Sequence, residues 1–237
     1  MVEWLSVPID ATRAHDVNFY QAWHGRLMVL AWAILFPVGV LAARFFKVLP
    51  RQDWPTQLDN PLWWHTHRAT QYLGGVAVLA AMLLLAIAPK GAEVTPTHTQ
   101  LGWTVIVICV VQFISAWLRG TKGGPTAPAP DGSLSGDHFD MTVRRRLFEY
   151  VHKILGYIVI VIAFGATVSG LWSANAAVWM WCLIVLWWVA ISFIFIVLQT
   201  QRGAFDTYQA IWGPDQELPG NRATPIGLGI SRCEKDK

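Results

Sequence analysis

Five apolar runs, at residues 24–46, 69–88, 101–118, 151–172 and 178–198, constrain this chain more than anything else in it. Each comes close to or exceeds the roughly 20 helical residues that, at about 1.5 Å apiece, cross a hydrocarbon core about 30 Å thick. Inside a bilayer every backbone N–H and C=O needs a partner, and an α-helix supplies them within one segment. Composition agrees, since 54% of the 237 residues are hydrophobic and only 14% are charged, against about 25% charged in an ordinary soluble domain. The expected fold class is an all-α membrane protein with five transmembrane helices. One transmembrane domain, 23–199, would hold them, with 1–22 as an N-terminal interfacial segment and 200–237 as a cytoplasmic tail.

The loops between the runs divide the 18 Lys and Arg very unevenly. Arg13, Arg26 and Lys90 fall on the side of the N-terminus; the other fifteen, among them Arg44, Lys47, Arg144, Arg145, Arg146 and Lys153, fall on the opposite side. The positive-inside rule then predicts a periplasmic N-terminus and a cytoplasmic C-terminus. The expected location is a bacterial inner membrane. Residues 1–22 lack the apolar core of a signal peptide and are expected to stay on the protein. Cys109 and Cys182 lie in spans and Cys233 in the tail, so none is expected in a disulfide. No nucleic-acid partner is expected, because the basic residues follow the membrane loops.

Chemistry enters at the histidines. His24, His67, His98 and His152 each open one of the first four runs. An ionisable side chain at the membrane edge costs free energy and turns toward a bundle interior or a partner. In alternating antiparallel spans, His24 and His98 fall near one membrane face, and His67 and His152 near the other. Each pair offers the two imidazoles that facing helices of a bundle can give one haem iron. The expectation is therefore two haem b groups in a four-helix core, with the fifth span, which carries no histidine, at the periphery. Zinc wants three or four protein ligands, and a proton relay does not need matched pairs. His65 competes with His67 and cannot share its partner, because two residues turn a helix by about 200°; His67 is preferred as the deeper of the two. His15 and His138 read as solvated.

Around the ligands, Gly102 and Gly156 each stand one turn past a histidine on the same face, where a missing side chain leaves room for a macrocycle. Arg26 and Arg68 either pair with haem propionates or anchor in the headgroups. Gln71 and Gln112 can hydrogen-bond a cofactor or a neighbouring helix. Pro37 with Gly39 predicts a kink in the first span. Trp54, Trp63 and Trp64 read as interface anchors, and the aromatics of the tail as docking it on the cytoplasmic face.

These residues resemble the cytochrome b561 family, in particular the bacterial and DOMON-associated type of core. The likeness rests on His24-Gly25-x-Leu27-Met28 with Pro37-x-Gly39 and Ala43-Arg44, on His67-x-x-x-Gln71, on His98-x-x-Leu101-Gly102, and on His152-x-x-x-Gly156 preceded by Arg146. It covers the first four spans, about 150 residues. The resemblance implies a di-haem core that passes electrons across the membrane, with axial ligands at His24, His98, His67 and His152. It also implies that basic residues at the end of the first core helix, here Arg44 with Lys47 nearby, help bind an ascorbate-like donor. The expected partners are the lipid bilayer, a redox donor and an acceptor such as a quinone, a ferric chelate or a redox protein. A haem-bearing subunit of a larger membrane complex is the neighbouring alternative, and a non-redox adaptor or transporter the remote one.

Overall fold

The computed structural model describes residues 3–89, 94–124 and 127–233. Lys90, Lys235 and Lys237 of the charge count, and Pro125 of the long loop, lie outside them. The short helix α1 (Glu3–Ser6) precedes five long ones: α2 (Phe19–Phe45), α3 (Leu62–Ile87), α4 (Pro96–Trp117), α5 (Val143–Ser173) and α6 (Val178–Gln201). All five are long and apolar enough to cross a membrane. A seventh helix, α7 (Thr207–Trp212), follows, and a minimal parallel pair joins β1 (Ala204–Phe205) to β2 (Ile230–Ser231). The protein is an all-α membrane protein.

α3, α4 and α5 start one to two turns before the apolar runs that mark them. The first N–H groups of a helix have no internal acceptor, so polar residues carry the helix out toward water before it ends. As a result only His98 stands in a first turn; His24, His67 and His152 lie deeper in their helices.

Pro37 has no N–H to offer the Ala33 carbonyl. The kink expected there is resolved by two adjustments. Leu30–Leu35 winds as a π-helix, with the Phe36 N–H on the Ala31 carbonyl. Trp187 Nε1 then donates to the orphaned Ala33 oxygen at 2.6 Å. Gly39 serves packing, because a Cβ there would stand 2.3 Å from both Thr70 Oγ1 and Gln71 Nε2.

The chain divides into two compact units. The first comprises the described residues of Met1–Gly39, Arg68–Ile108 and Val159–Ile196. Ala31, Ala33, Ala77, Ala81 and Ala163 are buried in it. Small residues let membrane helices approach closely when no hydrophobic effect drives them together. Fully buried Asn175 donates from its amide to the Asp10 and Arg13 carbonyls, and the Ile9 N–H reaches the Ala176 carbonyl at 3.1 Å. The stretch before α2 is thereby tied to the α5–α6 turn. His15, exposed as expected, bonds through Nδ1 to the Ala174 carbonyl at 2.7 Å.

The second unit comprises the described residues of Val40–His67, Cys109–Ile158 and Val197–Lys237. Its core is Tyr208, Ile211 and Trp212 of α7 against Trp63, with Phe139 and Met141 of the long loop alongside. Tyr208 donates from its hydroxyl to the Phe139 carbonyl at 2.7 Å. Asp206 caps α7 and pairs with Arg232. Trp63, expected as an interface anchor, is therefore a core residue. The tail is too poor in apolar residues to fold alone, and it folds here on side chains borrowed from α3 and the loop.

His138 is the other correction. Expected in solvent, it is 2% exposed, with the Tyr208 and Trp212 rings at 5.8 and 5.7 Å and Nε2 3.7 Å from Glu149 Oε1. A histidine amid Gly, Pro and Asp gave no sign of cover, because the residues that cover it come some 70 positions later. Burial, with the Arg145 guanidinium nearby, pushes its imidazole from the ordinary 6.5 down to about 3. The folded unit thus resists a proton that the unfolded chain accepts. Its contribution is full above pH 6.5 and lost as pH falls from there toward 3, by up to about 4 kcal/mol. His138→Phe should flatten this part of the acid transition, followed by tryptophan fluorescence; an acid profile identical to that of the unsubstituted chain would refute the assignment.

Candidate functional site

Within the first unit, His24 of α2 and His98 of α4 face one another with ring centroids 6.4 Å apart and planes at 87°. His98 Nδ1 lies 2.9 Å from the Ala166 carbonyl and His24 Nδ1 3.3 Å from the Ala81 carbonyl. A carbonyl oxygen only accepts, so in both rings Nδ1 carries the proton and Nε2 keeps its lone pair. A second hydrogen bond of this kind orients a metal-binding histidine. Gly170 makes the fit possible: a Cβ there would stand 2.9 Å from His98 Cε1. Neither Ala166 nor Gly170 stands out in the sequence beyond the small residues of that span.

Within the second unit, His67 of α3 and His152 of α5 meet at 6.3 Å with planes at 82°. Trp64 stacks on His67 and Phe148 on His152, both rings within 30° of parallel. His65 is exposed, whereas the His67 ring faces His152. Gln112 donates from Nε2 to the His152 carbonyl at 2.9 Å, which gives this residue its role. The same amide fills the space beside Gly156, 3.2 Å from where a Cβ would stand, whereas nothing lies within 4 Å of that point at Gly102. His152 Nδ1 is buried without a hydrogen-bond partner.

These spacings test the cofactor. Imidazole nitrogen binds a metal at about 2.1 Å, which sets two rings on opposite sides of one ion about 6.4 Å apart, centre to centre. Both pairs have that spacing, and the residues fit a haem iron held from two sides. Among the described residues no three His, Cys, Asp or Glu come together as ligands, so a tetrahedral zinc site has no seat.

Other candidates fall elsewhere. Arg26 is exposed with its guanidinium over Trp23, and Arg68 is exposed with its own over Tyr72. Gln71 donates to the Phe36 carbonyl at 3.4 Å, a bond between helices. Arg44 and Lys47 are buried, 9% and 4% exposed. Arg44 donates to Tyr157 Oη at 2.8 Å, Gln199 Oε1 at 2.7 Å and the Leu228 carbonyl at 2.8 Å. Lys47 Nζ donates to the Phe205 carbonyl at 2.8 Å. Beside them Glu149 pairs with Arg145 at 3.0 Å and Lys153 at 2.7 Å. Burial, reinforced by the Lys153 charge, lowers the Lys47 ammonium from 10.5 to about 7. Sequence reasoning missed the roles of Arg145, Glu149 and Lys153, although their i, i+4, i+8 spacing puts all three on one helix stripe.

Comparison with known proteins adds the following. A cytochrome b561, DM13 and DOMON domain-containing protein of Arabidopsis thaliana is 32% identical over 149 residues, 62% of this chain and 14% of that protein. Ferric-chelate reductase 1 of Homo sapiens is 28% identical over 165 residues, 69% of this chain and 24% of the relative. A cytochrome b561 and DOMON domain-containing protein of Arabidopsis thaliana is 26% identical over 174 residues, 72% and 32% respectively. The chain thus spans less than a third of the length of these relatives. No family model and no solved structure matches it.

Proposed function

Because the chain belongs to the cytochrome b561 family, we propose that it holds two haem b groups, one at each histidine pair, and carries single electrons across the membrane. The observation that carries this reading is the pair of cross-helix histidine couples, each at the spacing of two imidazoles on one metal. His24 and His98 would hold one group, and His67 and His152 the other. Haem, when bound, supplies the one-electron chemistry of its iron. The chain supplies the rest. His24 and His98 would offer their Nε2 lone pairs to one iron, and His67 and His152 would offer an imidazole nitrogen each to the other. The Ala81 and Ala166 carbonyls fix the tautomers and ring planes of the first pair. Trp64 and Phe148 shield the second pair from water.

The reading places the first pair toward the outside and the second toward the cytoplasm of a bacterial inner membrane, following the fifteen-to-three division of basic residues. Arg44 and Lys47, on the second unit, would receive an ascorbate-like donor, which loses one electron there. An acceptor at the other face, such as the ferric chelate in the name of the human relative, gains that electron and becomes ferrous. The loop and tail spend their aromatics on each other in the second unit, which favours a self-contained carrier over a subunit that needs them for docking.

The test is an anaerobic redox titration of the purified chain, with vesicles that trap a ferric chelate and receive ascorbate outside. Two haem b per chain with low-spin spectra, and ferrous chelate inside the vesicles, are expected. One haem or none, or reduced haem with no trapped ferrous product, would sink the proposal.

A further inference from the structure

The cations of the second unit share an unusual set of partners. Lys47 meets the Phe205 carbonyl, Lys153 the Ile226 carbonyl and Arg44 the Leu228 carbonyl, each at 2.8 Å. All three oxygens belong to the backbone of the stretch after α6. Glu149 is divided between Arg145 and Lys153, while Asp206 is engaged by Arg232. A carbonyl dipole bonds a buried cation less strongly than an anionic oxygen does. The stretch therefore stands where an anion would be held better.

Its conformation shows how the carbonyls are presented. Gly227 and Gly229 have φ of +127° and +59°, which L side chains rarely adopt. These turns accompany the inward Ile226 and Leu228 oxygens, while the Leu228 side chain itself is 77% exposed. Gln199 joins the contact, accepting from Arg44 and donating to the Gly229 carbonyl at 3.1 Å. Ile226 is the buried apolar foothold.

We propose that residues 226–229 form a displaceable plug over Arg44 and Lys153 in an anion site that Lys47 adjoins, and that a small organic anion of the carboxylate or enediolate type displaces it. This rests on the reading above that Arg44 and Lys47 receive the electron donor, and it adds how access to them is controlled. An anion that binds only the open form has its affinity reduced by the fraction of chains that are open. Loosening the plug must therefore tighten binding. Gly227→Ala does this without removing a cation, since a Cβ forced onto that backbone stands 3.1 Å from Ile230 and 3.6 Å from Lys153 Cδ.

The experiment uses the full haem-loaded chain in nanodiscs and oxalate, a small dianion that is not a one-electron donor to haem. Oxalate should raise amide hydrogen exchange across 226–231. Gly227→Ala should bind it about tenfold more tightly, and Arg44→Gln should abolish binding. Unchanged exchange in the unsubstituted chain overturns the proposal by itself, so the result does not depend on how well the alanine variant folds. Equal oxalate affinity in a Gly227→Ala protein that keeps its haem spectrum overturns it as well, and so does an absence of oxalate binding by both chains. If the chain takes up no haem yet shows the exchange and affinity changes, the plug stands and the electron-carrier reading falls.

Discussion

His98→Ala is expected to reduce the haem content of the purified chain from two per chain to one. His152→Ala is expected to remove the other haem and leave the first. On the proposed reading each site draws two side-chain ligands from two helices, so losing one would leave iron on a single imidazole. Disturbing only the groups that orient such ligands costs about 10–100-fold in metal affinity, and deleting a ligand costs more. In the first pair the substitution also removes the ring that the Ala166 carbonyl orients. Pyridine haemochrome assay with reduced-minus-oxidised spectra of the two variants distinguishes the outcomes. Two haems retained in either variant would end the ligand assignment, and loss of both from one substitution would contradict two independent pairs.

The pairing of the four histidines was legible in the sequence, and the reason is topological. Once five spans are counted, alternation alone brings His24 to His98 and His67 to His152, and both couples are found. Spacing along a helix excluded His65 and His67 from sharing a partner but could not orient α3, and only packing shows His65 exposed. The Pro37 irregularity was foreseen as a kink. Its form as a π-helix is accompanied by the Trp187 indole, which arrives more than 150 residues later to satisfy Ala33. Gly39 was legible as an irregular position but not as the place where Thr70 and Gln71 press in. The second unit was the least readable part. Its core is assembled from Trp63, Phe139, Tyr208 and Trp212, of which only Tyr208 and Trp212 share a helical spacing, and that within a helix of six residues. The burial of His138 and the cover over Arg44 and Lys47 follow from that assembly and from nothing local.

Glu149→Gln is expected to be the most damaging single change in the second unit, at about 3–5 kcal/mol. Glu149 is 5% exposed and sits between Arg145 and Lys153, with His138 at 3.7 Å. Paired ions in a protein interior contribute little net stability, because desolvation offsets their attraction. Removing one partner is different, since the cations left behind keep their desolvation cost and lose their compensation. The glutamine retains size and hydrogen-bonding atoms, so the loss reports charge and not shape. Thermal unfolding of the second unit, followed by Tyr208 and Trp212 fluorescence and by protease cleavage after α6, should shift strongly downward. Adding Lys153→Met should recover part of the loss, because the pair interacts directly and the effects of the two changes cannot simply add. A Glu149→Gln melt within a few tenths of a kcal/mol of the unsubstituted chain would show that another anion already neutralises the cluster. The carbonyls of residues 226–229 would then not be the main counterweight to Arg44 and Lys153.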